Sequence, residues 1–423
     1  MRRLDIRRRL PQVPGPFRAA TAASCAAVCF APAVKPVLTL ALAQCFAATG
    51  TAVVVLLGGI LGTTMAPTPL LATLPASLQI VGVALSTIPA ALFMQRFGRR
   101  RGFIVSAFTA FGATLLASWA VAHGSFLALC TATGLIGVNN AFSLQYRFAA
   151  VEFVPPDKVG KAVGLVMVGT LVAVWLGPTL ALYTRHLIAP AEFAGSFLAT
   201  SGLYLIAVAI LWRLPDAGRA HVACGGGRPL REILRQPLFR IAVAASLVSY
   251  AVMSFIMTAT PISMHILDHH SVDATGAVIK SHLIAMYLPA LASGWTVSRF
   301  GVRAMMIAGA LTMAGCITVA AFGPHEVLHY GVALVLLGTG WNLLFIAGTT
   351  QLTRCYRSEE RFRAQGFNDF LTFGCQATVS LLAGIAVARL GWQHMNLVAL
   401  PLLAIMLLLV VTHWRALGSA IEK

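Results

Sequence analysis

The chain has 423 residues, 58% of them hydrophobic and 10% charged, with 31 Lys and Arg against 13 Asp and Glu for a formal net charge of +18. Soluble globular chains keep roughly a quarter of their residues charged, so this balance excludes an ordinary soluble domain and implies a membrane protein. So basic a soluble chain would point to nucleic acid; the distribution of the charges along the sequence points to a membrane instead.

Residues 1–36 begin with Arg2, Arg3, Arg7, Arg8 and Arg9, followed by an Ala-rich apolar run from Ala19 to Val34. This is the outline of a secretory signal. Cleavage, however, would place the new N-terminus outside and invert the charge pattern of every later loop. The segment is therefore read as a cytoplasmic or surface-lying extension.

A spanning helix needs about 20 mostly apolar residues. Twelve such segments follow, at 37–64, 70–94, 103–122, 126–149, 162–183, 195–212, 241–264, 279–298, 304–323, 327–350, 366–388 and 396–413. The expected fold class is thus all-α and integral to the membrane, with one six-helix half at 37–212, a second at 241–413 and a cytoplasmic tail at 414–423. With the N-terminus inside, 28 of the 31 basic residues fall on the inner side, and only Arg185, Lys280 and Arg389 do not. That asymmetry predicts cytoplasmic termini and a bacterial-style inner membrane. The basic excess then serves orientation and attraction to anionic lipid heads, not nucleic-acid binding.

Residues 213–240 separate the halves. Gly225-Gly226-Gly227, followed by Pro229, Arg231, Glu232 and Arg235, reads as a flexible cytoplasmic linker ending in a short amphipathic helix. No Gly-Lys-Ser/Thr follows the glycines, so a phosphate loop is not indicated. The eight cysteines include no C-x-x-C pair, which supports neither a disulfide framework nor a zinc site. His265, Asp268, His269, His270 and Asp273 are read as a solvated outer loop in preference to a metal site.

Two stretches occur twice. Arg96-Phe97-Gly98-Arg99-Arg100 returns as Arg299-Phe300-Gly301-Val302-Arg303, 203 positions later, and Asp157 to Gly164 returns as Glu359 to Gly366 at an offset of 202. Together they define parallel six-helix halves, one of the recognised plans for transporters.

The chain resembles the major facilitator superfamily over residues 37–413. The residues that carry the resemblance are Ala91 to Arg100 and Gly294 to Arg303, set against the family's Gly-x-x-x-Asp-Arg-x-Gly-Arg-Arg/Lys loop. The resemblance implies alternating access between the halves, a monomer, and a cytoplasmic latch formed by Arg96, Gly98, Arg99 and Arg100 with Arg299, Gly301 and Arg303. Gln95 and Ser298 occupy the family's acidic position, which removes a charge relay through it. Proton-coupled drug exporters of the family carry an arginine early in helix 4 and a Gly-Pro-x-x-Gly-Gly stretch in helix 5. Here Leu129 to Gly137 has no basic residue, and Gly177-Pro178 leads into Thr179-Leu180-Ala181-Leu182.

Charge inside a bilayer is costly and marks function by default. Asp369 is the acid most clearly inside a predicted helix, with Glu152, Arg147 and Arg363 nearby in sequence or at the inner helix ends; these four are candidates for coupling or gating. The family's path is lined by helices 1, 4, 7 and 10. On them lie Gln44, Asn139, Asn140, Gln145, Tyr146, Tyr250, Ser254, Thr258, Trp341, Asn342 and Phe345. Amides and aromatics favour a planar, largely uncharged organic solute. The expected function is secondary active transport of such a solute, with protons as coupling ion and no cofactor or metal; uptake of a heterocyclic, vitamin-like compound such as riboflavin leads. Proton-coupled efflux of drugs or siderophores is the alternative within the class, and a membrane receptor or enzyme without transport is the alternative outside it.

Overall fold

The structure is a computed structural model that describes residues 18–155, 159–215 and 227–418. The sequence features at 1–17, Asp157, Lys158, Gly225, Gly226 and the last five residues lie outside it.

Lipid offers no hydrogen bonds, so each crossing segment must satisfy its own backbone, and helices do so. In chain order these are α1 (Arg18–Met65), α2 (Leu74–Phe97), α3 (Arg99–Ala122), α4 (Phe126–Ser143), α5 (Val159–Tyr183) and α6 (Ala194–Trp212). The second half contributes α7 (Pro237–Pro261), α8 (Val272–Tyr287), α9 (Ser293–Phe322), α10 (Val327–Thr353), α11 (Arg361–Leu397) and α12 (Leu400–Thr412). Among the described residues, eleven helical stretches are long and apolar enough to cross a membrane, because Arg363–Thr412 counts as one. That stretch holds two of the expected segments: its helix is broken at Gly391, where φ is 71°.

Three expectations shift. The helix of α1 already begins at Arg18, inside the segment assigned to the extension. The fourth segment is not one helix: it turns at Leu144 and Gln145 and resumes as Tyr146–Val151, which turns Arg147 away from the line of α4. The eighth starts at Val272, not at 279. Ser271 caps it by accepting from the Ala274 N–H at 3.1 Å. Asp273 therefore belongs to a first helical turn, where a carboxylate suits the helix dipole, and His265 lies in a π-helical extension of α7, Ile262–Leu267.

The halves repeat in packing as well as sequence. α1 packs on α5 as α7 does on α11, α2 on α4 as α8 on α10, and α3 on α6 as α9 on α12. Gly98 (φ 90°, ψ 153°) and Gly301 (φ 77°, ψ 160°) make the same turn in a region essentially closed to side chains. Between halves, α2 meets α11 and α5 meets α8.

One face of the bundle carries the arginine-rich turns and is called the basic face; the other is the distal face. At the distal end the halves share an apolar core, in which Leu57, Ile60 and Leu61 of α1 cluster with Ile256, Ala259 and Ile262 at the α7 end. Near the basic face, by contrast, separate clusters form around Phe103, Tyr146 and Leu211 in the first half and around Ile233, Phe239 and Leu352 in the second. Polar contacts follow the same division. Ser77 of α2 meets Ser380 of α11 at 2.8 Å, Ser380 meets Thr258 at 3.0 Å, and Arg185 pairs with Asp273 at 3.3 Å. Among the described residues, the halves thus share core and polar contacts at the distal end and keep separate cores toward the basic face, and we read the space between them as open to that side.

Candidate functional site

The central feature is an aromatic cluster built by the second half. The Tyr250 ring of α7 lies 5.2 Å from Trp341 and 5.2 Å from Phe345 on α10, and 5.6 Å from Phe373 on α11, each edge to face. Trp341 and Phe345 stack at 5.1 Å and 15°, and Tyr287 of α8 approaches Trp341 at 6.1 Å. Tyr250 is 13 residues from the start of α7 and Trp341 is 12 from the end of α10, depths of about 18–20 Å from the basic face at 1.5 Å per residue. Helix spacing explains the grouping: Trp341 and Phe345 are four apart and share one face. Trp341 is 4% exposed and its indole N–H has no hydrogen-bond partner. An unpaired buried donor costs about 1–3 kcal/mol, so this group is suited to a ligand acceptor.

Across from the aromatics stands Arg147, carried by the short helix after the α4 break. Its Nε is buried without a partner, and its guanidinium lies 4.8 Å from the Phe148 ring centroid. Its charge acts on Asp369 of α11, Tyr250 and Tyr287, all in the opposite half. Asp369 is half-buried and accepts from Asn368 Nδ2 at 3.1 Å through one carboxylate oxygen. One cation and one anion, from opposite halves, thus flank the aromatic wall.

The other path candidates divide. Tyr250, Trp341 and Phe345 assemble in the wall, while Thr258 lies at the distal contact and Ser254 is buried on α7. Asn342 donates to the Met286 carbonyl at 2.6 Å, tying α10 to α8. Tyr146 packs edge-on against Phe103 at 4.5 Å in the first half's core, and Asn139 is fully buried beside Tyr204. All three are buried among protein atoms in this conformation, and Asn139 and the Tyr146 hydroxyl keep polar atoms without a partner. Gln44 donates to Thr170 Oγ1 at 3.1 Å, leaving its carbonyl oxygen unpartnered; Asn140 accepts from Ser143 at 3.3 Å, and Gln145 sits in the α4 break.

The basic-face turns bond within their own halves. Arg99 pairs with Glu152 at 2.7 Å, and Arg100 donates to the Trp212 carbonyl at 2.6 Å. Arg303 donates to the Trp414 carbonyl at 3.3 Å with its guanidinium 3.7 Å from that ring's centroid. The Arg100 bond satisfies a carbonyl at the C-terminus of α6. Glu152 is thereby engaged at the basic face, and the charge acting on Asp369 comes from Arg147 in the other half. Arg363 is exposed, at the start of α11; Arg96 lies 5.3 Å over Phe97. Arg299 precedes the turn at Gly301.

Sequence reasoning missed Tyr287, Phe373 and Lys280. Phe373 could have been found four residues beyond Asp369 on the same helical face. Tyr287 and Lys280 lie within the segment expected at 279–298, but no repeat or spacing singles them out; Lys280 lies eight residues into α8, with Nζ 5.9 Å from the Trp175 ring of α5.

Comparison with known proteins adds a family and a fold. A model of the Major Facilitator Superfamily matches residues 40–279 and 242–417. The riboflavin transporter RfnT of Brucella anthropi is 38% identical over 92% of this chain and 98% of its own. An uncharacterised MFS-type transporter of Bacillus subtilis, YdeG, is 29% identical over 89% of this chain and 91% of its own. The crystal structure of a mutant nucleoside transporter NupG superposes with a TM-score of 0.71 over 90% of this chain and all of its own, at 13% identity.

Proposed function

The chain belongs to the major facilitator superfamily, whose work is secondary active transport of small solutes by alternating access, and we propose that its solute is a planar, uncharged heterocycle of the riboflavin kind, taken up into the cell. The observation that carries this reading is the wall of Tyr250, Trp341, Phe345 and Phe373 at mid-depth in the opening between the halves. Flat π-systems gain from stacking and edge contacts with such rings. Support comes from the relative that transports riboflavin, which is matched over nearly the full length of both chains.

The remaining assignments follow from charge. The basic face is cytoplasmic and the membrane is a bacterial inner membrane, since arginine-rich loops are retained inside; residues 1–36, 213–240 and 414–423 then lie on the cytoplasmic side. Asp369 takes up the coupling proton, and the protein works as a monomer. An arginine beside a protonatable carboxyl, Arg147 and Asp369, suits a neutral solute with a hydrogen-bonding edge better than a phosphate ester or dicarboxylate, which would call for a cluster of cations.

Expression in a bacterial strain unable to make or import riboflavin tests the reading directly. Growth on low external riboflavin, matched by saturable uptake in vesicles, is the expected result. No growth and no riboflavin flux from a protein correctly inserted in the membrane would overturn it.

A further inference from the structure

The charged pair beside the aromatic wall has a pattern of donors and acceptors that narrows the solute further. Arg147 offers N–H groups, among them a buried Nε with no partner. Asp369 offers acceptors, with Asn368 occupying one carboxylate oxygen. Asp369 stands one helical turn before Phe373, whose ring is 5.6 Å from Tyr250, and Arg147, on the short helix after the α4 break, acts on it from the opposite half, so a solute against the aromatic wall meets both. A planar heterocycle lying against Tyr250 and Trp341 would present one polar edge to this pair.

We infer that Arg147 and Asp369 select solutes by an imide edge, the CO–NH–CO sequence of a flavin or uracil-like ring, with Arg147 donating to one carbonyl and Asp369 accepting from the ring N–H. This rests on the proposed uptake of a riboflavin-like solute and goes beyond it by naming the recognised edge. Complementarity is closest when Asp369 carries a proton. A carboxylic acid accepts the ring N–H through its carbonyl oxygen and donates its own O–H to the second ring carbonyl, and Arg147 covers the first. All three positions of the edge are then paired, which matters because a polar group left unpaired in a closed site by the wrong solute supplies most of the discrimination such sites achieve. Proton and solute consequently bind together rather than in competition, as symport requires. The groups facing Asp369 in this arrangement are Arg147 from the first half, Tyr250 of α7 and its neighbour Asn368, with Tyr287 of α8 also facing Arg147.

The test compares riboflavin with N3-methylriboflavin, which keeps the ring system but lacks the imide N–H. Uptake is measured in proteoliposomes, and ligand-induced thermal stabilisation is measured on the same purified proteins, so that a variant unable to transport still reports binding. In the wild type the methylated compound binds and competes at least about tenfold more weakly than riboflavin. Asp369→Asn, whose carboxamide still offers an acceptor and a donor, keeps that preference, whereas Asp369→Leu brings the two compounds toward parity. Equal handling of both by the wild type, or an undiminished preference in Asp369→Leu, overturns the inference while leaving riboflavin transport standing. Absence of any riboflavin binding or flux in the wild type removes both readings.

Discussion

Arg228 encloses the Glu360 carboxylate: its backbone N–H (2.7 Å), Nε (2.9 Å) and Nη2 (2.8 Å) all donate to Glu360, whose side chain is fully buried. Arg357 N adds a fourth bond at 2.9 Å. The end of the segment joining the halves is thereby fastened to the turn between α10 and α11. The Arg228 side chain, and after it the Arg357 N–H, hold the Glu360 carboxyl well below its ordinary value of 4.5. A depressed carboxyl stabilises the folded state fully above its unfolded value, and the contribution fades as pH falls below that value toward the folded one. Thermal unfolding of purified protein should therefore lose several degrees in Glu360→Gln at neutral pH, and the loss should shrink on acidification below about pH 4.5. A variant with an unchanged melting temperature at pH 7 would contradict this.

The closed distal face makes a second prediction. Gly384 of α11 lies so close to Thr73 that a Cβ there would collide with the threonine hydroxyl, in the same region where Ser77 meets Ser380. Gly384→Val should part α2 from α11 and favour the conformation open at the distal face. A cysteine placed at Ser77 should then react faster with an impermeant thiol reagent added from the distal side than the same cysteine in the parent. Equal labelling would show that the distal seal does not depend on this contact.

Much of this architecture is legible in the sequence, and the parts that are not have physical reasons. Long apolar runs and arginine turns define the crossings, and the double Arg-Phe-Gly turn matches a real geometric repeat at Gly98 and Gly301. The start of α8 escapes apolar periodicity because Asp273, Thr275 and Gly276 interrupt the run before residue 279, although all three lie within the helix. At the site, residue type identified Tyr250, Trp341 and Phe345. It could not tell Asn342, whose amide is spent on the Met286 carbonyl, from an amide free to meet a solute. The role of Arg147 depends on a turn at Leu144 and Gln145 that apolar periodicity does not announce.

The aromatic wall predicts a graded response. Loss of a ring that stacks on a flat solute costs about 1–3 kcal/mol, so Trp341→Ala should raise KM for riboflavin by roughly five- to 150-fold. Tyr250→Phe retains the ring and its three edge contacts and should stay close to wild type. Uptake kinetics in proteoliposomes with matched protein content separate the two. Should Tyr250→Phe fall as far as Trp341→Ala, the hydroxyl and not the ring would be the recognising group.

Glu152 and Asp369 provide the comparison that tests the proposed coupling role of Asp369. Glu152 is partly exposed at the basic face and already paired with Arg99 at 2.7 Å. Such a pair contributes about 0–1 kcal/mol, so Glu152→Gln should change stability little and leave accumulation driven by a pH gradient intact. Asp369 faces Arg147 across the opening between the halves, in a helix interior where an ionisable group is costly. Asparagine at 369 mimics the protonated acid in hydrogen bonding but cannot release a proton. Asp369→Asn should therefore exchange labelled for unlabelled riboflavin across the membrane while failing to accumulate it against a gradient when the outside is made acidic. Proton-driven accumulation by Asp369→Asn would place coupling elsewhere. Its loss in Glu152→Gln would mean that the Arg99 pair breaks and reforms during the transport cycle, an arrangement in which the basic-face turns and not the central pair would carry the proton's work.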